Sequence, residues 1–182
     1  MDGDAQEAPP PLVPLRNAGN ELVLRKPSWR RGLHELRAGD ALVGLLDVRA
    51  WSGASRAQTA DSTWRFDRPR GLSQRRVRVL SADDALEIAT FERSGWGRGG
   101  AIELDDRRYA LRAHGRWKPR WVWTDDAGTE LASLTTRSTF RDERGRVTLT
   151  DAGRASPHAA LLALLGAHLA LLSAREAAAA AT

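Results

Sequence analysis

The sequence predicts a mainly β protein, a closed antiparallel barrel of about 11–12 strands enclosing a hydrophobic C-terminal α-helix. Three observations point there. Between residues 21 and 151, short β-like runs are broken by turn chemistry roughly every eight to twelve residues. Several of these runs alternate strictly between apolar and charged residues, so each strand has one buried and one wet face. The run 159–172 then carries no charge at all, and a helix apolar on every side must be enclosed by protein or lipid.

The chain opens on a segment, residues 1–20, with Asp2, Asp4, Glu7 and four prolines. Its acidity and proline content predict a disordered tail that packs little. A barrel domain is expected over 21–176. Candidate strands are 22–29, 33–36, 41–49, 62–66, 75–80, 86–93, 101–104, 108–113, 116–124, 129–136 and 147–150. Val77 and Val79 oppose Arg76 and Arg78. Ile102 and Leu104 oppose Glu103. Tyr109, Leu111 and Ala113 oppose Arg108, Arg112 and His114. Trp117, Pro119, Trp121 and Trp123 share one face, with Lys118 and Arg120 on the other. Pro119 has no N–H for a ladder, which predicts an edge strand or a bulge there. The segment 52–61 is small and polar and reads as a long connector. Ser156 and Pro157 suit the start of a helix over 157–175, and 177–182 is an alanine-rich end. The 14-residue charge-free run is shorter than the roughly 20 residues that span a bilayer. A buried core helix is therefore favoured over a tail anchor.

Composition excludes several classes. The 182 residues include no Cys, so there is no disulfide framework, thiol nucleophile or Cys-ligated metal. The formal charge of +5 divides into −2 on the first 20 residues and +7 on the remainder. Only Lys26 and Lys118 are lysines; the other basic residues are arginines. A positive body favours anionic partners. No secretory signal opens the sequence, and a cytoplasmic protein, peripheral to a membrane if it meets one, is expected.

Catalytic motifs are few. Gly95, Gly97 and Gly100 satisfy G-x-G-x-x-G, but residues 101–104 read as a strand where a dinucleotide fold needs a helix. A glycine hairpin loop is the simpler reading. His34, His114, His158 and His168 show no metal-ligand spacing. His168 lies within the apolar run and reads as a buried core histidine. Asp83/Asp84, Asp105/Asp106 and Asp125/Asp126 fall in predicted turns and are explained by turn chemistry. No triad, nucleophile elbow or P-loop is present, so the chain is read as a non-enzyme with no cofactor and no metal.

An antiparallel meander of this strand number, ending in the apolar run 161–172, resembles the tubby C-terminal-like superfamily, which includes tubby proteins, LURP-one-related proteins and phospholipid scramblases. The resemblance covers roughly 21–176. It implies a barrel with a central helix and a role in binding anionic phospholipid headgroups at a membrane surface. The candidate ligand-binding residues are the outward cations Arg76, Arg78, Arg112, Lys118 and Arg120, which converge into one patch if their strands lie close enough. The other reading is a structural or protein–protein interaction domain without a lipid ligand. Nucleic acid is disfavoured, because the aromatic and basic residues of these strands occupy opposite faces.

Overall fold

The computed structural model describes residues 11–27, 32–49, 54–69, 75–83, 85–94, 98–115, 119–136 and 143–180. Among them, twelve antiparallel strands form one closed barrel: β1 (Glu21–Arg25), β2 (Leu33–Ala38), β3 (Ala41–Val48), β4 (Ser55–Thr59), β5 (Thr63–Asp67), β6 (Arg76–Ser81), β7 (Glu87–Arg93), β8 (Gly99–Leu104), β9 (Arg107–His114), β10 (Arg120–Thr124), β11 (Glu130–Thr136) and β12 (Glu143–Leu149). Each strand pairs with its neighbours in sequence, and β1 pairs with β12 to close the ring. A short helix α1 (Asp151–Ala155) leads into α2 (Ala159–Ala180), which runs through the barrel.

The strand alternation places the side chains as expected. Leu22 and Leu24, Val77 and Val79, Ile102 and Leu104, Tyr109 and Leu111, and Trp121 and Trp123 are buried. Asp105 and Asp106 both have φ near +50 to +60°, the double left-handed geometry of a two-residue type I′ hairpin. Asp125 closes the next turn through its side chain, which accepts from the Thr129 N–H at 2.7 Å.

Arithmetic explains why a helix is needed. Twelve strands spaced ~4.8 Å apart and tilted ~40° make a tube ~24 Å across between backbones. A helix with its side chains is ~10–12 Å wide, which leaves ~6 Å on each side for one layer of inward side chains. Leu161, Leu162, Leu164, Leu165 and Leu169 are each at most 4% exposed. The helix is long and apolar enough to cross a membrane, yet 67% of its most apolar window is buried inside the barrel.

The helix runs closest to β10 and β11 on one side and to β3 and β4 on the other. Small residues permit the approach. At Gly44 of β3 a Cβ would sit 3.3 Å from a Leu164 methyl, and at Gly166 a Cβ would sit 2.7 Å from Trp123 Nε1. Where the wall is farther from the helix, Phe66 and Phe91 fill the space.

Four expectations are corrected. The connector 52–61 contains a strand, β4, whose inward residues Ser55, Ala57 and Thr59 are buried. They are small and partly polar because the helix lies against them, so they lack the apolar signature of a strand. Residues 11–20 are not a loose tail. The Val13 N–H donates to Leu42 O at 2.8 Å, Leu15 and Ala18 are buried, and Arg154 binds Asn20 Oδ1 and Arg16 O. Residues 1–10 lie outside the described residues. The main helix spans Ala159–Ala180 rather than 157–175. Ser156, Pro157 and His158 form the turn before it, with the Ala159 N–H donating to Ser156 O at 3.2 Å, while the alanine-rich end stays helical, as alanine's propensity dictates. Pro119 precedes β10 instead of interrupting it, and in a closed barrel it marks no free edge.

Truncating Leu165 to Ala should cost about 2–5 kcal/mol, the range for a fully buried leucine. Gly166→Ala should cost about 1–3 kcal/mol through the forced contact with the Trp123 ring. Denaturant unfolding of both variants checks these values. A loss below about 1 kcal/mol for Leu165→Ala would contradict enclosure of the helix.

Candidate functional site

The interior holds two buried histidines. The Ser55 hydroxyl and His168 Nδ1 are hydrogen-bonded at 2.8 Å, and the His168 ring lies 5.4 Å from that of Phe66. Burial, reinforced by the charges of Arg175, Arg68 and Arg93, pushes the His168 pKa down to about 3. His34 Nδ1–H donates to Gly32 O at 3.0 Å. Burial, together with Lys26 and Arg175, pushes its pKa down to about 4 against the backbone bonds that favour its charged form. Both imidazoles are neutral at physiological pH. The Ser55–His168 pair is closed off from solvent (His168 is 0% exposed), so a substrate cannot reach it. The hydrogen bond ties α2 to β4 inside the barrel.

At the far end of the helix, Glu176 is held by two arginines. Arg68 Nη1 lies 2.6 Å from Oε1, and Arg93 donates to both carboxylate oxygens at 3.1 and 2.9 Å. Burial alone raises the Glu176 pKa, but the hydrogen bonds and charges of Arg93 and Arg68 prevail and hold it below the ordinary value.

The outward arginines named from the sequence do not gather into one patch. Arg76 pairs with Glu92 at 3.0 Å. Arg78 lies 3.9 Å from Asp67 and 4.0 Å from Glu87. Arg120 pairs with Glu130. Strands β7 and β8 separate Arg76 and Arg78 on β6 from Arg112 on β9. Arg112 and Arg120 are diagonal neighbours on β9 and β10, since Arg112 faces Val122 and Arg120 faces His114. Lys118, with Arg116 and Trp117, lies outside the described residues.

A second arginine, Arg108, joins Arg112 along β9. The two share the outer face with Ala110 between them, about 13 Å apart at ~3.3 Å per residue. Among the described residues neither has a carboxylate within ion-pairing distance. Arg108 faces Glu103 across the ladder without closing on it, and Arg112 faces Gly99. They edge an open groove of about 560 Å³ on the outer wall of β7–β9, also lined by Arg98, Glu92 and Glu103, with Gly99, Ala101 and Ala110 as its floor. The floor is small by necessity at Gly99, where a Cβ would sit 2.2 Å from Leu111 O. Sequence alternation places Arg108 outward but does not reveal that it lacks a partner, because pairing is decided by cross-strand register.

Of the G-x-G-x-x-G segment, Gly99 and Gly100 belong to β8, so the pattern leads into a strand; Gly95 and Gly97 lie outside the described residues. Among the described residues no three His, Asp or Glu side chains are placed to hold a metal ion. Compared with known protein families, curated proteins and solved structures, the chain matches none.

Protonation favours unfolding here. Both imidazoles have native pKa values below the ordinary 6.5, so the unfolded chain binds more protons as pH falls. Unfolding free energy should be flat above pH ~7. Between pH ~6.5 and ~4 it should fall by up to ~1.4 kcal/mol per pH unit for each imidazole. The lowered Glu176 pKa acts in the same direction at more acidic pH. In His168→Leu the slope over that window should drop by roughly half. Urea unfolding across pH checks this, and an unchanged slope would contradict a neutral, buried His168.

Proposed function

We propose that this chain is a non-enzymatic binding module for anionic phospholipid headgroups, working in the cytoplasm at the membrane periphery. The observation that carries the reading is the pair Arg108 and Arg112. Among the described residues neither closes an ion pair, and they lie beside a groove with a Gly/Ala floor that Glu92 and Glu103 also line, while Arg76, Arg78 and Arg120 are matched by acids. A guanidinium presents paired donors that match the oxygens of a phosphate. The filled interior leaves the outer surface to do the binding. The resemblance to tubby-like proteins, which rests on strand number and the enclosed apolar helix, supports the same ligand class.

The alternative is a protein-interaction domain, and it draws on Leu86 and Ile88, which are 63% and 43% exposed beside the β6–β7 turn.

Co-sedimentation with vesicles separates the two. The chain should pellet with phosphatidylcholine vesicles only when phosphatidylserine is included, and salt should release it. Arg108→Gln with Arg112→Gln should weaken binding on the order of tenfold or more, with the melting temperature unchanged. Absence of binding to anionic vesicles would defeat the reading and favour the protein-interaction alternative.

A further inference from the structure

Where α2 leaves the barrel, wall and helix meet in an ion pair whose two sides belong to different elements. Arg68 follows β5 and Arg93 ends β7, while Glu176 sits near the end of α2. Arg93 turns its fork to both carboxylate oxygens, Nη1 to Oε1 at 3.1 Å and Nη2 to Oε2 at 2.9 Å. Arg68 Nη1 adds a further donor to Oε1 at 2.6 Å. The Arg93 and Arg68 side chains are only 12% and 20% exposed, so both are held largely out of water with their donors converging on one point. Paired guanidinium donors converging in this way also fit the oxygens of a phosphate group.

Two further observations mark Glu176 as the removable partner. The first is its place on the helix. Leu172 is the last buried residue of α2. Beyond it Ala174, Arg175 and Ala177–Ala180 are exposed, and Ser173 and Glu176 are half-buried. The end of the helix can therefore lift off the two arginines without disturbing the packed interior, as terminal turns without buried contacts do. The Glu176 side chain is 38% exposed, so solutes reach the ion pair from outside, and Arg93 also lines the outer groove beside Ser94 and Arg98. The second is the field. The charges of Arg175, Arg68 and Arg93 reach His168 and, after burial, help to keep its imidazole neutral. Lys26 is lowered first by burial and then by Arg144 and Arg175. The exit of α2 thus stays positive with Glu176 seated, which favours an anion of higher charge than a carboxylate.

We propose that Arg68 and Arg93 form a phosphate-binding site in which Glu176 sits as an internal competitor, so that binding a phosphate group and releasing the end of α2 are one event. The site stands on other residues than Arg108 and Arg112 and goes beyond the headgroup reading. Carboxylate and phosphate use the same donors, so each excludes the other. The tethered carboxylate is present at high effective concentration and lowers the apparent affinity for phosphate by the fraction of time it is seated. A phosphate monoester brings a third oxygen and a second negative charge to the two guanidiniums. The group is the same whether it is carried by a soluble molecule or by a lipid such as phosphatidic acid.

Titration calorimetry tests the competition. Glu176→Gln should bind inorganic phosphate on the order of tenfold more tightly than the unchanged chain, and Glu176→Gln combined with Arg93→Gln should lose that gain. Phosphate should also raise the melting temperature of Glu176→Gln more than that of the unchanged chain, which reports folding and binding together. Release is read separately on the otherwise unchanged chain, which has no Cys, by a nitroxide on Ala178→Cys. The label should gain mobility on saturation with inorganic phosphate or with phosphatidylcholine vesicles that contain phosphatidic acid. A response to free phosphate assigns the site a soluble ligand, and a response confined to the vesicles assigns it a lipid; either supports the coupling. Equal phosphate affinity of Glu176→Gln and the unchanged chain, or a label that stays ordered with both probes, overturns the proposal and leaves Glu176 a structural clamp. With that result, sedimentation of the unchanged chain with phosphatidylserine vesicles would still uphold the headgroup reading carried by Arg108 and Arg112.

Discussion

A tube of twelve strands cannot fill its own interior. Eight strands enclose a volume that their own side chains can pack, but here one layer of side chains leaves an axial space about as wide as a helix. An empty space of that size would forfeit dispersion contacts along every inward residue, and water there would lie against leucine and phenylalanine. The remaining features of the molecule follow from filling it. The helix must be apolar all round, because every side meets the wall. The wall must be small where it comes closest, as at Gly44, and bulky where it stands off, as at Phe66 and Phe91.

An apolar rod in an apolar tube can slide and rotate at little cost, so polar contacts must fix its position. Ser55 meets His168 inside the barrel, and Glu176 is gripped at the exit by Arg68 and Arg93. At the entrance, the Thr150 hydroxyl accepts from the Gly153 N–H and donates to Glu130 O, which seats α1 under β11. A slip of α2 by one turn would break the His168 and Glu176 contacts together. The buried imidazoles tie this arrangement to pH, because each is stable in the interior only while neutral.

What the sequence revealed depended on contrast. The charge-free run 159–172 and the alternation around Trp121, Ile102 and Val77 stand out against a chain that is 28% charged, and they suffice for the barrel and its helix. Strand β4 escaped because Ser55, Ala57 and Thr59 face the helix at close range and carry no apolar bulk. The docking of Leu15 and Ala18 escaped because their surroundings in sequence are proline and polar residues. The candidate site was only half legible. Alternation gives the direction of Arg112, but which strand faces β9, and whether an acid stands opposite, is a property of the closed ring. That is why Arg76 and Arg120 turned out to be paired while Arg108 did not.

Enclosure makes the barrel and its helix one cooperative unit. Ending the chain at Ala155 removes α2 and leaves all twelve strands. Urea unfolding of that truncated chain, followed by tryptophan fluorescence and checked for association by size exclusion, tests the claim directly. No cooperative transition from a monomer is expected, because the interior has lost its filling. A monomeric species with a single sigmoidal unfolding curve would contradict it.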